Sequence, residues 1–308
     1  MHRGASLFLL ATLLACSQDA SRESAAVTQS TVSEVVTIYA TNYPLAYFAE
    51  RIAGDRGEVV FPAPPDVDPA SWSPDAQTIV EYQQADLIVL NGAGYAAWVA
   101  KAALPRSRLL DTTSAMADRL IPLENAVTHS HGPTAEHSHG GTAFTTWLDL
   151  DMATEQARSI LEALVRIRPD HESEFRQAFI SLEADLREFD RQLMRVAEKI
   201  GDRPVLFSHP VYQYLERRYG LNGVSVHWEP DAIPEEVLWD QLQALRQQHA
   251  ARIMIWEADP LPETRRRLAD LGIECVVFQP GGNRPAAGDL LDVLRRGIAG
   301  LEGAAASR

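Results

Sequence analysis

From Val35 onward, short apolar runs alternate with stretches whose apolar residues recur at helical spacing. Val35–Ala40, Val59–Ala63, Leu87–Leu90 and Leu109–Thr112 predict strands; Tyr43–Ile52, Asp75–Gln84 and Tyr95–Ala103 predict the helices between them. A second series repeats the alternation, with strands at Val205–Ser208, Val224–Trp228, Arg252–Trp256 and Glu274–Phe278. Its helices are Glu235–His249, Pro262–Leu271 and Gly288–Leu301. Strands separated by helices form parallel βαβ units, not a sandwich. The fold class is therefore α/β, with two lobes, each a parallel-type sheet flanked by helices. Between the two series, Asp151–Ile200 is charged and amphipathic. Pro169 starts a new helix there, because proline is tolerated in a first turn and not in an interior. A helix from Pro169 to Ile200 would run ~48 Å, long enough to join the lobes as one rigid rod.

The first residues follow a different pattern. Gly4–Ala15 is a small and apolar run after Arg3, ending Leu13-Leu14-Ala15-Cys16. Twelve residues rise only ~18 Å as a helix, short of a ~30 Å hydrocarbon core, so this is a secretory signal and not a membrane span. Leu-Leu-Ala-Cys resembles the bacterial lipobox, which implies cleavage before Cys16 and acylation of its thiol. Ser17–Ser33 is rich in Ser, Gln, Thr and Ala and reads as a flexible tether. The expected organisation is 1–15 signal peptide, 16–34 lipidated tether, 35–168 N-terminal lobe, 169–201 linking helix and 202–303 C-terminal lobe. That places the mature protein in the periplasm or on the cell surface as an anchored lipoprotein.

Composition narrows the function. The 308 residues carry 28 Lys plus Arg against 42 Asp plus Glu, a net charge of −14. So acidic a chain is a poor partner for nucleic acid, whose phosphates need a basic surface. Its two cysteines, Cys16 and Cys275, exclude a disulfide framework and Cys-rich zinc modules; Cys275, in an apolar strand pattern, is expected to be a buried core thiol. No Gly-x-Ser-x-Gly elbow, phosphate-binding glycine loop or His-Glu-x-x-His occurs. Asn91-Gly92-Ala93-Gly94 lacks the rest of a dinucleotide fingerprint and reads as a tight turn.

Histidine placement is more informative. Four of the nine histidines, His129, His131, His137 and His139, fall in the Gly- and Ser-rich stretch Val127–Thr142, which reads as a mobile loop. Imidazoles clustered this way can collect Zn, Cu or Ni, with affinity held down by about 1–2 kcal/mol for each residue the ion must order. His209 stands at the end of a strand, where α/β proteins present ligand-binding groups. Glu257 and Asp259 occupy the matching place after Arg252–Trp256, and His227 and Glu229 close Val224–Trp228. If these strands are neighbours, His209, His227, Glu229 and Glu257 approach one rim of the second lobe. Nitrogen and carboxylate donors of this kind hold first-row divalent metals. For Glu229 and Asp231, in a turn-like Glu-Pro-Asp, separate surface carboxylates are the competing reading.

The motifs together resemble the periplasmic metal-binding proteins of zinc and manganese ABC importers, over nearly the whole mature chain. Pro65-Asp66-Val67-Asp68-Pro69-Ala70-Ser71-Trp72-Ser73-Pro74 is similar to that family's first-lobe loop, Pro-Gly-x-Glu-Pro-His-x-Trp-x-Pro. Ala85-Asp86-Leu87 through Asn91-Gly92, Trp147-Leu148-Asp149 after the His-rich stretch, Phe207-Ser208-His209, Arg217-Arg218-Tyr219-Gly220 and Ile255-Trp256-Glu257 resemble further family segments. The resemblance implies two lobes linked by a long helix, a metal in the cleft, an ABC permease as partner and no enzymatic step. The departures fall on the ligands: Ala70 and Thr145 stand where the family places histidines, and Gln279 where it places an aspartate, so only His209 matches. A rebuilt zinc site is expected from His209, loop histidines and a carboxylate, foremost Glu257, with His227 beside them and Asp68 opposite. The expected protein is a monomeric, Cys16-anchored carrier of Zn²⁺ or a similar divalent ion. Its rivals are a binding module whose cleft has exchanged metal for another ligand and, far behind, a hydrolase using Glu257 as base.

Overall fold

The computed structural model describes residues 1, 35–130 and 136–307, with the side chains of 124–130 and 136–140 excepted. The signal, the tether, Cys16 and His131 lie outside the described residues.

Two four-stranded, all-parallel sheets organise the chain. The first has order β2-β1-β3-β4, from β1 (Val36–Ala40), β2 (Gly57–Val60), β3 (Leu87–Leu90) and β4 (Leu109–Asp111). Helices α1 (Tyr43–Ala53) and α2 (Ala76–Gln84) make its crossovers. Each begins on a side-chain cap, Asn42 accepting from the Leu45 N–H and Asp75 from the Thr78 N–H. An antiparallel hairpin follows, β5 (Pro122–Ser130) with β6 (Glu136–Thr142). Helix α3 (Leu150–Ile167) comes next and α4 (Glu172–Ile200) after it. The second sheet has order β10-β9-β7-β8, from β7 (Pro204–Phe207), β8 (Asn222–Ser225), β9 (Ile253–Trp256) and β10 (Glu274–Val277). Its helices are α5 (Gln213–Tyr219), α6 (Glu236–Arg246), α7 (Pro262–Asp270) and α8 (Leu290–Ala306).

The amphipathic stretch divides at Pro169 into α3 and α4, and α4 shows why its second part is one rod. Phe175, Phe179, Leu182, Leu186, Phe189, Leu193, Val196 and Ile200 recur at alternating steps of four and three, and all are buried. That stripe packs on α1 and α3 on one side and on α8 on the other. Each such side chain contributes about 1.5–3 kcal/mol when buried. Charge occupies the outer face in pairs one turn apart, Glu172–Arg176, Glu183–Arg187 and Glu188–Arg191. Gly201, at φ +59°, ends the helix.

Several sequence expectations need correction. Tyr95–Ala103 holds only a 3-10 turn at Ala97–Ala100, because Ala93, Gly94 and Ala96 all adopt positive φ and break any helical ladder. Strand β2 stops at Val60, ahead of Pro62, which has no N–H for a ladder. Strand β8 begins at Asn222 and ends at Ser225, so His227 and Glu229 lie in the loop beyond it. The stretch read as a mobile loop is, in its backbone, largely the β5–β6 hairpin, His129 opposite His137 in the ladder. Cys275 is half-buried because β10 is an edge strand.

Candidate metal centre

Three neighbouring strands, β8, β7 and β9, end on one rim, and parallel packing aligns their carboxyl ends. His209 follows β7, Glu257 follows β9 and Glu229 follows β8. Backbone pairing continues past the strands and fixes all three. The Ser208 N–H donates to the Ile255 carbonyl (2.8 Å), and the Val226 and Trp228 N–H groups donate to the Phe207 and Ser208 carbonyls (2.8 and 2.9 Å). Trp228 pins the Glu229 loop from below, 2% exposed and packed on Trp239 and Trp256 with ring centroids 4.6 and 6.3 Å away.

One donor atom from each of His209, Glu229 and Glu257 lies within 4.8 Å of the others. His209 is 2% exposed, with Nε2 3.2 Å from Glu229 Oε1 and Nδ1 3.4 Å from Glu257 Oε1. Burial pulls the imidazole's pKa down, but the Glu229 hydrogen bond and the charges of Glu257 and Glu229 outweigh it, and the net direction is upward. An imidazole between two carboxylates is a nitrogen-plus-oxygen donor set that a divalent cation can occupy by displacing a proton. Among the described residues this is the cluster whose geometry suits a metal.

The remaining candidates fall in different places. His227 is exposed, its ring centroid 6.5 Å from that of His209, and desolvation and the His209 charge hold its pKa down. Asp68 lines the opposite wall, its Oδ1 accepting from the Ala70 N–H at 3.0 Å. The side chains of His129, His137 and His139 lie outside the described residues, as does His131 altogether. The hairpin that carries them is rooted at the cleft, since Leu123 and Ala143 both line it. Glu229, placed on this rim by the sequence but with a surface carboxylate as the competing reading and no place in the expected ligand set, is the residue the sequence reading undervalued. The register of β8 against β7 decides between the two readings.

His209 and Glu257 of the triad line a cleft of about 460 Å³, with Pro230, next to Glu229, at its edge. Asp68, Tyr95, Phe144, Thr145 and Trp147 supply its first-lobe wall, and residues near His209, Glu257 and Gln279–Ala286 the other. Thr145 donates its hydroxyl to the Val211 carbonyl at 2.6 Å, and Ala70 has no side-chain donor. A buried network sets the Thr145 segment in place: Asn91 donates to the Phe144 carbonyl (2.9 Å) and accepts from Asn42, Thr146 and Gln156 (3.2–3.3 Å). The tight turn after Asn91 requires glycine. Gly92 sits at φ +73°, and a Cβ there would lie 2.0 Å from Thr113 Oγ1. Direct bonds hold the lobes together across the cleft: Trp147 Nε1 to the Pro280 carbonyl (2.7 Å), Tyr214 Oη to the Ala143 carbonyl (2.9 Å) and Asn283 Nδ2 to the Pro64 carbonyl (2.7 Å).

Two parallel α/β lobes, braced by a long helix and meeting at a cleft with metal-type donors on one wall, define a solute-binding protein. Residues 38–304 match the family described as zinc-uptake complex component A, periplasmic (ZnuA), and the chain belongs to that family. Members are substrate-binding proteins of transporters, not enzymes, which removes the hydrolase reading. The chain is 25% identical over 258 residues to the high-affinity zinc uptake system protein ZnuA of Bacillus subtilis (strain 168), across 82% of this chain and 80% of that protein. It is 24% identical over 205 residues to the zinc-binding lipoprotein AdcA of Streptococcus pneumoniae (strain ATCC BAA-255 / R6), across 65% of this chain and 40% of that one. Among solved structures, the metal-dependent lipoprotein YcdH from Bacillus subtilis superposes with a TM-score of 0.75 at 20% identity, over 87% of this chain and 98% of that one. The Zn(II)-bound ZnuA-like domain of Streptococcus pneumoniae AdcA superposes with a TM-score of 0.74 at 18% identity, over the same shares.

Proposed function

We propose that this protein captures a divalent transition metal, Zn²⁺, in its interlobe cleft and delivers it to an ABC permease. The observation that carries this reading is the convergence of His209, Glu229 and Glu257 at the ends of three adjacent strands. Two carboxylates balance the ion's charge, and the imidazole supplies the nitrogen that favours zinc over calcium or magnesium. His227 and Asp68 stand near enough to the cleft to take part as the ion enters, and His129, His131, His137 and His139 serve as a collecting arm. The relatives' names, zinc uptake and zinc binding, support the choice of metal. The acidic net charge of −14 favours cations around the whole molecule. Acylation at Cys16 would hold a monomeric carrier at the membrane beside its permease, as the lipoprotein relatives suggest.

Isothermal titration of the tag-free mature protein with Zn²⁺ and Mn²⁺ tests the reading, alongside His209→Ala, Glu257→Gln and a deletion of 127–142. One strong zinc site lost in His209→Ala and weakened in Glu257→Gln is expected, while the deletion keeps the strong site and slows its filling. Unchanged zinc affinity in both point variants would overturn the assignment.

A further inference from the structure

We propose that the cleft takes its divalent ion as a small chelate, an ion still carrying one compact amino-carboxylate ligand, in place of a bare ion. The proposal rests on the zinc-capture reading above and names its substrate more closely.

The three donors all stand on one wall, from neighbouring strand ends of one sheet. Zinc is four-coordinate in most protein sites, so at least one position faces the cleft. Among the described residues opposite, Ala70 has no side-chain donor, the Thr145 hydroxyl is engaged by the Val211 carbonyl, and Asp68 already accepts the Ala70 N–H on Oδ1. A cleft of about 460 Å³ far exceeds what an ion needs; it falls within the range of pockets for small organic molecules, about 300–1,000 Å³. Its first-lobe wall is aromatic, Tyr95 meeting Phe144 and Trp147 edge-on with centroids 5.3 and 5.8 Å apart.

Tyr95 gives the second, independent sign of an organic ligand. It is 8% exposed, it lines the cleft, and its hydroxyl has no hydrogen-bond partner among the described residues. That oxygen lies 3.7 Å from where a Cβ on Gly282, another lining residue, would sit. A buried unmet donor is costly, and an acceptor arriving with the ligand would satisfy it. Burial and the Asp68 charge push the phenol's pKa well up, so it remains a donor at neutral pH. The matching ligand chelates the ion with nitrogen donors, lays a flat body against the aromatic wall and turns a carboxylate oxygen toward Tyr95. No bond is made or broken in the protein; the ion's open position is filled by the chelator instead of water.

Native mass spectrometry of the mature protein with zinc and L-histidine tests this. The expected wild-type species is heavier by one zinc and one histidine together, and Tyr95→Phe lowers histidine retention about fivefold, the worth of one neutral hydrogen bond. A zinc adduct without histidine at every histidine concentration, or equal retention in Tyr95→Phe, would overturn the chelate proposal and leave zinc capture standing. No zinc adduct under any condition would overturn zinc capture itself, and this proposal with it.

Discussion

Asn91 is the position where structure and cleft can be probed with one substitution. Its side chain is 1% exposed and joins four segments: Asn42 at the head of α1, the Phe144–Thr146 wall, Gln156 on α3 and its own turn. In Asn91→Ala, Gln156 keeps its bond to Thr112 and Thr146 keeps its bond to Gln156. The Asn42 amide and the Phe144 carbonyl lose their side-chain partner. One buried amide and one part-buried carbonyl that each lose a hydrogen bond put the loss at about 2–3 kcal/mol, or roughly 3–5 °C in Tm for a chain of this size. Urea unfolding followed by the fluorescence of the six tryptophans measures it directly. Asn91→Asp keeps the accepting oxygen but sets a carboxylate against the Phe144 carbonyl, and should lose at least as much at neutral pH. A loss below about 1 kcal/mol in Asn91→Ala would refute the claim that this network holds the first-lobe wall in place.

Other outcomes follow from the same geometry. Glu229→Gln should weaken zinc at least tenfold in titration, while Asp231→Asn, outside the triad, leaves affinity unchanged. Gly92→Ala should destabilise by at least about 1–2 kcal/mol, since it combines a positive φ with a Cβ driven into Thr113; thermal unfolding reads this. Burial raises the Glu216 carboxyl's pKa, against smaller lowering contributions from the Gly223 N–H and His249. Folding therefore favours its protonated form, a contribution present below the unfolded carboxylate pKa and lost as pH rises through the folded value. Glu216→Gln should accordingly raise Tm at neutral pH and lose that advantage below about pH 4.

Much of the fold was legible because its signals are local. The four-and-three spacing from Phe175 to Ile200 and the strand runs at Leu87–Leu90 and Ile253–Trp256 needed no tertiary knowledge. The failures share a cause: the helix expected at Tyr95–Ala103 was undone by positive φ at Ala93 and Ala96, residues whose identity announces nothing of the kind. His209 and Glu257 could be paired from sequence because both follow clear apolar strands. Glu229 reaches the same rim from sequence but with a competing surface-carboxylate reading, because its position depends on how far β8 pairs with β7 and on Trp228 anchoring the loop, both long-range facts. The unmet hydroxyl of Tyr95 was equally invisible, since it depends on what surrounds a side chain and not on the side chain itself.

Anomalous diffraction at the zinc edge from a crystal of the zinc-loaded protein tests the central claim most directly. The account predicts one strong peak in the cleft, with a His209 nitrogen and one oxygen each from Glu229 and Glu257 about 2.0–2.2 Å from it. A peak held by histidines away from His209, with an empty cleft, would contradict it.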